Sequence, residues 1–387
     1  MTGGKPALLA TADGAVFKGR SVGADGVTTG EAVFNTSMTG YQEILTDPSY
    51  AGQIVVMTVS HVGNYGVTEV DAQSSGPAVS GFVMRSLSRR EWSQRSEGDL
   101  GDYLRDNGVV ALSDIDTRRL TRRLRDRGAM PAAMGAGVTE AELVAAAAEA
   151  PSMKGRDLVS AVTTAEPYGA DAVGERRGLV AVIDLGVKRD IITSLTARGF
   201  DVVVMPASAG ADEIGGLSPD GVLVSNGPGD PEPLRAATDT VRALLGEYPV
   251  FGLCLGHQVL GLAAGARTYK LPFGHHGGNH PVRRMGDGGV EITAQNHGFA
   301  VDLWSLADAA PPERDGPVGP ALLPESVDTE LGAVRPTRQN LNDGTLEGMT
   351  FEDAPAFSIQ YHPEAAPGPN DAAPVFDRFV ELIEESR

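Results

Sequence analysis

The second half of the sequence alternates long apolar runs with amphipathic segments, and this alternation constrains the fold more than any other feature. Four runs are predicted to be strands: GLVAVIDLG (178–186), FDVVVMP (200–206), GVLVSNGPGDP (221–231) and PVFGLCL (249–255). A continuous apolar run is typical of a strand that is buried on both faces, and VKRDIITSLTARG after the first run is predicted to be a helix. Strands that alternate with helices predict parallel βαβ units, and hence an α/β fold with an open, mostly parallel sheet flanked by helices.

The first 150 or so residues have a different, β-rich pattern. Asp13-Gly14 favours a tight hairpin turn, and apolar, β-branched strands are predicted to start at Glu31 and Gln53. TEAELVAAAAEA is predicted to be a helix that Pro151 ends. We therefore predict three parts: a β-rich, mixed α/β domain at 1–152, a linker with Pro, Gly and mixed charge at 153–177, and the α/β domain at 178–387.

Composition excludes several classes of protein. The chain has 387 residues, a formal net charge of −19 and a single cysteine. Such a charge opposes non-specific binding of nucleic acid, and one cysteine cannot form an internal disulfide, which fits a reducing cytoplasm. The start lacks the apolar region of a signal peptide, and the apolar runs are too short to span a membrane. We therefore expect a cytoplasmic protein that binds neither nucleic acid nor membrane.

A basic segment, DTRRLTRRLRDRG (116–128), is the local exception to this acidity. Leu120 and Leu124 stand four residues apart, so the segment is predicted to be a helix with one apolar stripe surrounded by arginines. A solvated helix face, a phosphate site and a docking surface for an acidic partner all agree with this pattern.

The cysteine lies in Gly252-Leu-Cys-Leu-Gly256, where a strand is predicted to turn abruptly into a helix. Glycines two residues before and after a nucleophile allow a sharp strand-to-helix turn that exposes it at the helix N-terminus. The helix dipole there favours a thiolate, and the N–H of Leu255 would be placed to hold an oxyanion. A buried structural cysteine is the alternative.

A thiolate nucleophile needs a base, and IQYHPE (359–364) offers His362 with Glu364 at the end of an apolar strand. In an extended chain, residues i and i+2 point to the same side, so the carboxylate can lie beside the imidazole. A surface His-Pro-Glu turn is the alternative.

GLCLGHQ (252–258) together with YHPE (361–364) resembles the class I triad glutamine amidotransferases. The resemblance implies that Cys254 is the nucleophile, His362 the general acid and base, and Glu364 the residue that orients the histidine. In that family the cysteine attacks the side-chain amide of glutamine, forms a γ-glutamyl thioester and releases ammonia.

The block at 30–58, GEAVFNTSMTGYQEILTDPSYAGQIVVMT, narrows the resemblance to the small-chain family of carbamoyl phosphate synthetases. Further segments similar to that family are SNGPGDP (225–231), HHGGNHPV (275–282), QNHGFAVD (295–302) and PGPNDAAPVFDRFVELIE (367–384). The likeness covers nearly the whole chain. It implies a glutamine pocket formed by Ser49, Gly227, Gly229, Leu255, Gln258, Asn296, Gly298 and Phe299.

The resemblance also implies a partner. The sequence contains no G-x-x-x-x-G-K-[ST] phosphate loop, so no cofactor is expected on this chain. ATP, with Mg and/or K ions, is expected on a separate, large ATP-grasp subunit that receives ammonia through a tunnel and combines it with bicarbonate. Carbamoyl phosphate would then serve arginine and pyrimidine biosynthesis, and the complex would be a heterodimer or a higher oligomer.

For two regions the sequence predicts no chemical function. HHxxxH at 275–280 is not a zinc-binding spacing, so no metal is expected there, and the resemblance implies a structural or interface loop. The acidic, Pro-rich stretch 303–337 is expected to be a partly mobile surface excursion.

Two functional alternatives stay open: an amidotransferase that serves another synthase, such as the anthranilate or GMP pathways, and a catalytically silent scaffold for the large subunit.

Overall fold

The computed structural model describes residues 4–307 and 323–387, and these form two compact units. The first unit contains the chain up to Arg156 together with Pro272–Gly277, and the second contains the rest. The sequence-based prediction places the end of the first domain at 152.

A closed barrel of seven strands forms the first unit. The strands are β1 (Pro6–Thr11), β2 (Val16–Ser21), β3 (Val27–Asn35), β4 (Gln53–Met57), β5 (Gly81–Val83), β6 (Ala111–Ser113) and β7 (Met130–Ala136). The helices are α1 (Tyr41–Thr46), α2 (Leu100–Asp106), α3 (Thr117–Arg127) and α4 (Glu140–Glu149), with 3-10 turns at Pro48–Tyr50 and Glu69–Asp71. The order around the barrel is β1-β2-β6-β5-β4-β3-β7, and β7 pairs with β1 to close it.

Local sequence explains several of these elements. The predicted hairpin joins β1 and β2, and Gly14 in its turn has a φ of 83°, which glycine adopts without strain. Helix α4 begins at a capping box, in which Thr139 and Glu142 bond each other's backbone N–H. Closure of the barrel removes exposed strand edges.

The second unit contains a mixed sheet with helices beside it. Its strands are β8 (Tyr168–Ala170), β9 (Gly178–Asp184), β10 (Phe200–Pro206), β11 (Gly221–Val224), β12 (Val250–Leu253), β13 (Arg267–Arg284), β14 (Val290–Asp302), β15 (Val327–Thr329), β16 (Gly332–Asn340), β17 (Leu346–Phe351) and β18 (Ala356–Ile359). Its helices are α5 (Arg189–Thr196), α6 (Ala211–Gly215), α7 (Arg235–Leu244), α8 (Leu255–Ala263) and α9 (Pro374–Glu385), with 3-10 turns at Val159–Ala161 and Leu303–Leu306.

The centre of this sheet is parallel, in the order β10-β9-β11-β12-β18, which confirms the predicted α/β fold. Antiparallel strands extend it on both sides: β8 beside β10, and β17, β16 and β13 beyond β18. Successive side chains of the central strands belong to different buried apolar clusters. For example, Ala181 lies in one cluster and Val182 in the other. Such a sheet places functional groups at the carboxyl ends of its parallel strands.

Three segments differ from their predictions. The stretch predicted as a linker contributes the 3-10 turn at Val159–Ala161 and the edge strand β8, because β10 offers an unpaired antiparallel edge there. The histidine segment 275–282, predicted to be a loop, lies in β13, where glycines interrupt the alternation that would reveal a strand. Of the predicted excursion, residues 308–322 lie outside the described residues, while β15 and β16 form a hairpin that buries Val334.

Within residues 4–307 and 323–387, none of the helices has the length and apolar character that crossing a membrane requires.

Candidate active site

Cys254 occupies a strained turn between β12 and α8. Its backbone has φ 54° and ψ −102°, a region that L-residues rarely adopt and that requires about 1–3 kcal/mol from the surroundings. A Cβ on Gly252 would lie 2.7 Å from the carbonyl oxygen of Gly256, and a Cβ on Gly256 would lie 2.1 Å from that of Val224. The structure thus confirms the steric reason for both glycines: the turn leaves no room for side chains on either side of the cysteine.

The backbone around the turn leaves one donor unused. The N–H of Cys254 donates to Ile359 O at 2.9 Å, and that of Gly256 donates to Ser225 O at 3.0 Å. The N–H of Leu255, the first residue of α8, has no acceptor among the described residues. A free N–H at a helix N-terminus next to a thiol can stabilise an anion that forms on the adjacent atom.

His362 and Glu364 lie just beyond the carboxyl end of β18, the strand parallel to β12. His362 Nδ1 and Glu364 Oε1 are 2.7 Å apart, and both side chains are almost fully buried. The backbone N–H of His362 donates to Ala294 O on β14, which fixes the position of the ring. His362 Nε2 is buried, and apart from its interaction with the Cys254 thiol it has no hydrogen-bond partner in the described part of the chain, so this nitrogen is the one available for proton transfer.

A buried lysine completes this chain of charged groups. Lys188 is 2% exposed, immediately precedes α5 and places its Nζ 2.9 Å from Glu364 Oε1. The same carboxylate oxygen therefore faces both the lysine and the histidine. Sequence analysis missed Lys188, although an ionisable side chain directly after the first buried strand was a signal for a residue at the carboxyl edge of the sheet.

The pKa values of His362 and Glu364 are shifted in opposite directions. Burial alone would lower the pKa of His362, but the charges of Glu364 and Cys254 outweigh it and raise the pKa to about 10. Burial would raise the pKa of Glu364, but Lys188 and His362 lower it to about 2. The carboxylate thus stays ionised and favours the imidazolium form of the histidine.

His257, in α8, has the opposite character. Complete burial lowers its pKa to about 3, so its ring is neutral. Its Nδ1 lies 2.8 Å from Ser358 Oγ on β18, and this contact ties the helix to the strand. A histidine that resists protonation and bonds a hydroxyl supports the packing of the turn, whereas His362 is suited to carry a proton.

Amide side chains surround the thiol. Gln258 Nε2 donates to Phe299 O at 2.8 Å and to Gln360 Oε1 at 3.1 Å, while Gln258 Oε1 is buried without a partner in the ranges described. Gln360 Nε2 lies 3.8 Å from Cys254 Sγ, and the thiol approaches Asn296 O at 3.6 Å. The second unit therefore brings together Cys254, Gln258, Asn296, Phe299, His362 and Glu364, all of which the sequence singles out; Gln360 was not foreseen.

At two of the glycines predicted to bind glutamine, the backbone conformation or the surrounding space itself requires glycine. Gly229 has a φ of 89°, and a Cβ on Gly227 would lie 2.1 Å from Leu185 O. Gly298 lies within β14, so the segment NHGF is part of a strand. Ser49 lies in the first unit, in the 3-10 turn after α1, where its N–H donates to Asp47 Oδ1 at 2.9 Å. Contact of these residues with glutamine remains a prediction.

Comparison with known proteins adds an independent finding. Residues 9–134 match the family model of the carbamoyl-phosphate synthase small chain, CPSase domain, and residues 181–382 match that of the class-I glutamine amidotransferases. The carbamoyl phosphate synthase small chain of Syntrophotalea carbinolica is 48% identical over 394 residues, which cover 98% of each chain. Those of Halomonas eurihalina and Pseudomonas aeruginosa are 47% identical, over 99% of this chain and 100% of theirs.

Proposed function

Because this chain belongs to the family of carbamoyl phosphate synthase small chains and contains a class I glutamine amidotransferase domain, we propose that it hydrolyses glutamine to supply nitrogen for carbamoyl phosphate. One observation supports the chemistry most strongly: the only cysteine lies on a strained turn beside a buried histidine, carboxylate and lysine.

In the first half of the proposed reaction, Cys254 has given its thiol proton to His362 Nε2, and the resulting thiolate Sγ attacks the side-chain carbonyl carbon of glutamine. The carbonyl oxygen becomes an oxyanion, which the N–H of Leu255 stabilises. The imidazolium, favoured by Glu364, then protonates the leaving nitrogen. The carbon–nitrogen bond breaks, ammonia departs and a γ-glutamyl thioester remains on Cys254.

In the second half, His362 takes a proton from water, whose oxygen attacks the thioester carbon. The carbon–sulfur bond breaks, glutamate leaves and the proton returns to the thiolate. Throughout, Glu364 holds the imidazole by Nδ1, and Lys188 keeps Glu364 ionised. Each group therefore has one task, set by its nearest charged neighbour.

Substrate binding uses the groups that remain unsatisfied. We assign Gln258 Oε1, a buried acceptor with no partner in the described ranges, to a donor of the bound glutamine. The backbone of Gly227, Gly229 and Gly298, with Asn296 and Phe299, would surround the rest of the substrate, and Ser49 stays in the predicted set of binding residues. A buried polar atom without a partner is unfavourable, so an incoming donor gains free energy there.

The released ammonia must be consumed elsewhere. The sequence has no phosphate-binding loop, so we propose that a separate large ATP-grasp subunit, with ATP and Mg and/or K ions, combines the ammonia with bicarbonate. Ammonia would pass between the subunits through a channel, and the product would serve arginine and pyrimidine synthesis. A cytoplasmic heterodimer, or a higher oligomer of it, is the form we propose.

The decisive experiment replaces Cys254 with serine in the complex reconstituted with its large subunit. Carbamoyl phosphate synthesis from glutamine should fall by at least about 10³-fold, since the nucleophile is removed, while synthesis from free ammonia should persist. Labelling by a glutamine-like electrophile should occur at Cys254 in the native chain and be absent from the variant. Undiminished use of glutamine by Cys254→Ser would contradict the assignment of the nucleophile, and no labelling of the native complex would favour a silent scaffold.

A further inference from the structure

The arginines on the two faces of helix α3 differ in their contacts. On one face, the Arg119 guanidinium lies 4.2 Å from the centre of the Phe17 ring and donates to Val16 O, while Arg123 forms an ion pair with Asp13 at 2.6 Å. These contacts bind α3 to the β1–β2 hairpin. The arginines of this face therefore have a structural function within the first unit.

The other face carries Arg118, Arg122 and Arg125, all exposed. Within the described residues, Arg118 and Arg122 form neither a hydrogen bond nor an ion pair, and Arg125 bonds only its neighbour Asp126. Like charges three or four residues apart on a helix repel each other and destabilise it. The folding of this chain thus gives no reason for three arginines in this row.

This row borders a cavity of about 800 Å³ in the first unit. Arg85, which follows β5, adds a fourth guanidinium, and Thr58, which follows β4, adds a hydroxyl. Thr121 also lines the cavity, and its Oγ1 is buried without a hydrogen-bond partner in the described part of the chain. Among the described residues, the only acid in the lining is Asp116, whose Oδ1 already caps α3 by accepting the N–H of Arg119 at 3.0 Å.

The chemistry of the lining defines what it can bind. Guanidinium groups are suited to carboxylates and phosphates, and hydroxyls can donate to either. The cavity is much larger than a single phosphate, and no aromatic side chain lines it to stack a nucleobase. Arg118 and Arg122 are separated by about 6 Å along the helix axis, close to the roughly 6.7 Å between side chains on one side of an extended peptide.

From this geometry we propose that the Arg118–Arg122–Arg125 face of α3 docks an acidic segment of the ATP-dependent partner subunit. This proposal rests on the proposed function, which requires such a partner. It also explains why, in a chain with a net charge of −19, Arg118 and Arg122 have no carboxylate partner among the described residues. Complementary charge would steer the two subunits together and fix their register.

The test compares two double variants of the full-length chain that remove the same charge. Arg118→Gln/Arg122→Gln alters the proposed surface, whereas Arg127→Gln/Lys154→Gln alters exposed residues outside the cavity lining. Binding of the purified large subunit from the same organism is measured at low and at high ionic strength. We expect Kd to rise by about tenfold or more for the first variant only, with the difference shrinking as salt screens the charges.

Further measurements keep the outcome unambiguous. Circular dichroism and thermal unfolding of both variants should match the native chain, as should glutamine hydrolysis by the isolated chain. Equal affinity of the two variants for the large subunit would overturn the docking proposal and leave the proposed function intact. Arginine-dependent binding of inorganic phosphate, with unchanged affinity for the subunit, would also overturn it, in favour of a small-anion site. If the native chain failed to bind the large subunit at all, the proposed function itself would be wrong.

Discussion

The buried site at the start of α8 and the arginine face of α3 use charge in opposite ways. Around α8, Lys188, Glu364 and His362 are buried. Glu364 contacts both of the other two, so each charge has its partner inside the chain. On α3, Arg118 and Arg122 are exposed and lack partners among the described residues. Burial makes an unpaired charge very unfavourable, whereas water tolerates one. The difference indicates that the first set acts within this protein and the second acts on something outside it.

The largest expected effect comes from breaking the buried set. Lys188→Met removes the cation and leaves Glu364 buried without it, which should lower the free energy of unfolding by about 3–5 kcal/mol. The pKa of Glu364 should rise, since Lys188 is the main group that lowers it. Lys5→Met is the matched control, because Lys5 pairs with Asp25 at the surface and its loss should change little. Denaturant unfolding of both variants checks the contrast, and equal effects would contradict it.

The next effect is steric. Gly256→Ala gains about 1 kcal/mol of helix propensity, but its methyl group would overlap Val224 O at 2.1 Å. We expect the overlap to dominate, with a net loss of about 1–3 kcal/mol and little remaining glutamine hydrolysis, because the turn that presents Cys254 must shift. Gly286→Ala, which meets open space, provides the control. A Gly256→Ala chain that is as stable and as active as Gly286→Ala would show that the turn is not crowded.

A further contrast distinguishes the two buried histidines by pH. His362, with a pKa raised to about 10, favours folding below its ordinary pKa of 6.5, and this contribution is lost as pH rises from there towards 10. His257, with a pKa lowered to about 3, behaves oppositely: its contribution is present above pH 6.5 and is lost as pH falls towards 3. Nitrogen-15 NMR of the imidazoles, assigned with His362→Asn and His257→Asn, measures both. Titration of both rings near pH 6.5 would refute the electrostatic difference.

The smallest effect is expected on α3. Arg122→Gln should change the free energy of unfolding by less than about 0.5 kcal/mol, because the side chain is exposed and makes no contact that folding requires. Thermal unfolding measures this, with Leu120→Ala on the buried stripe as the contrasting variant. A loss comparable to that of Leu120→Ala would mean that the arginine face serves the fold itself.

Sequence patterns predicted the elements whose own residues determine them. The central strands β9 and β10 are continuous apolar runs, and α4 carries its capping box in its sequence. Strands β13 and β14 escaped prediction because their glycines, histidines and polar residues hide the alternation, and pairing with neighbouring strands stabilises them instead. Local pattern cannot reveal a strand whose stability is non-local.

The same limit applies to the candidate site. Cys254, His362 and Glu364 lie in short motifs whose spacing carries the chemistry, so they could be proposed from the sequence. Gln360 could not, and for Lys188 the sequence signalled only a place near the end of a buried strand, because the importance of both depends on burial and on partners in distant parts of the chain. Polar residues of this kind resemble surface residues until the fold places them.

The distance in sequence between Lys188 and Glu364, which form an ion pair, also matters during synthesis of the chain. The two residues are 176 positions apart (364 − 188), and at about 5–20 residues per second a ribosome needs roughly 9–35 s to connect them. Within that interval, once residue 254 has been added, the nascent chain contains the cysteine but has neither the histidine nor the carboxylate. In the proposed mechanism Cys254 therefore lacks its base until β18, the last strand of the described sheet, has been synthesised, and we expect no glutamine hydrolysis by an unfinished chain.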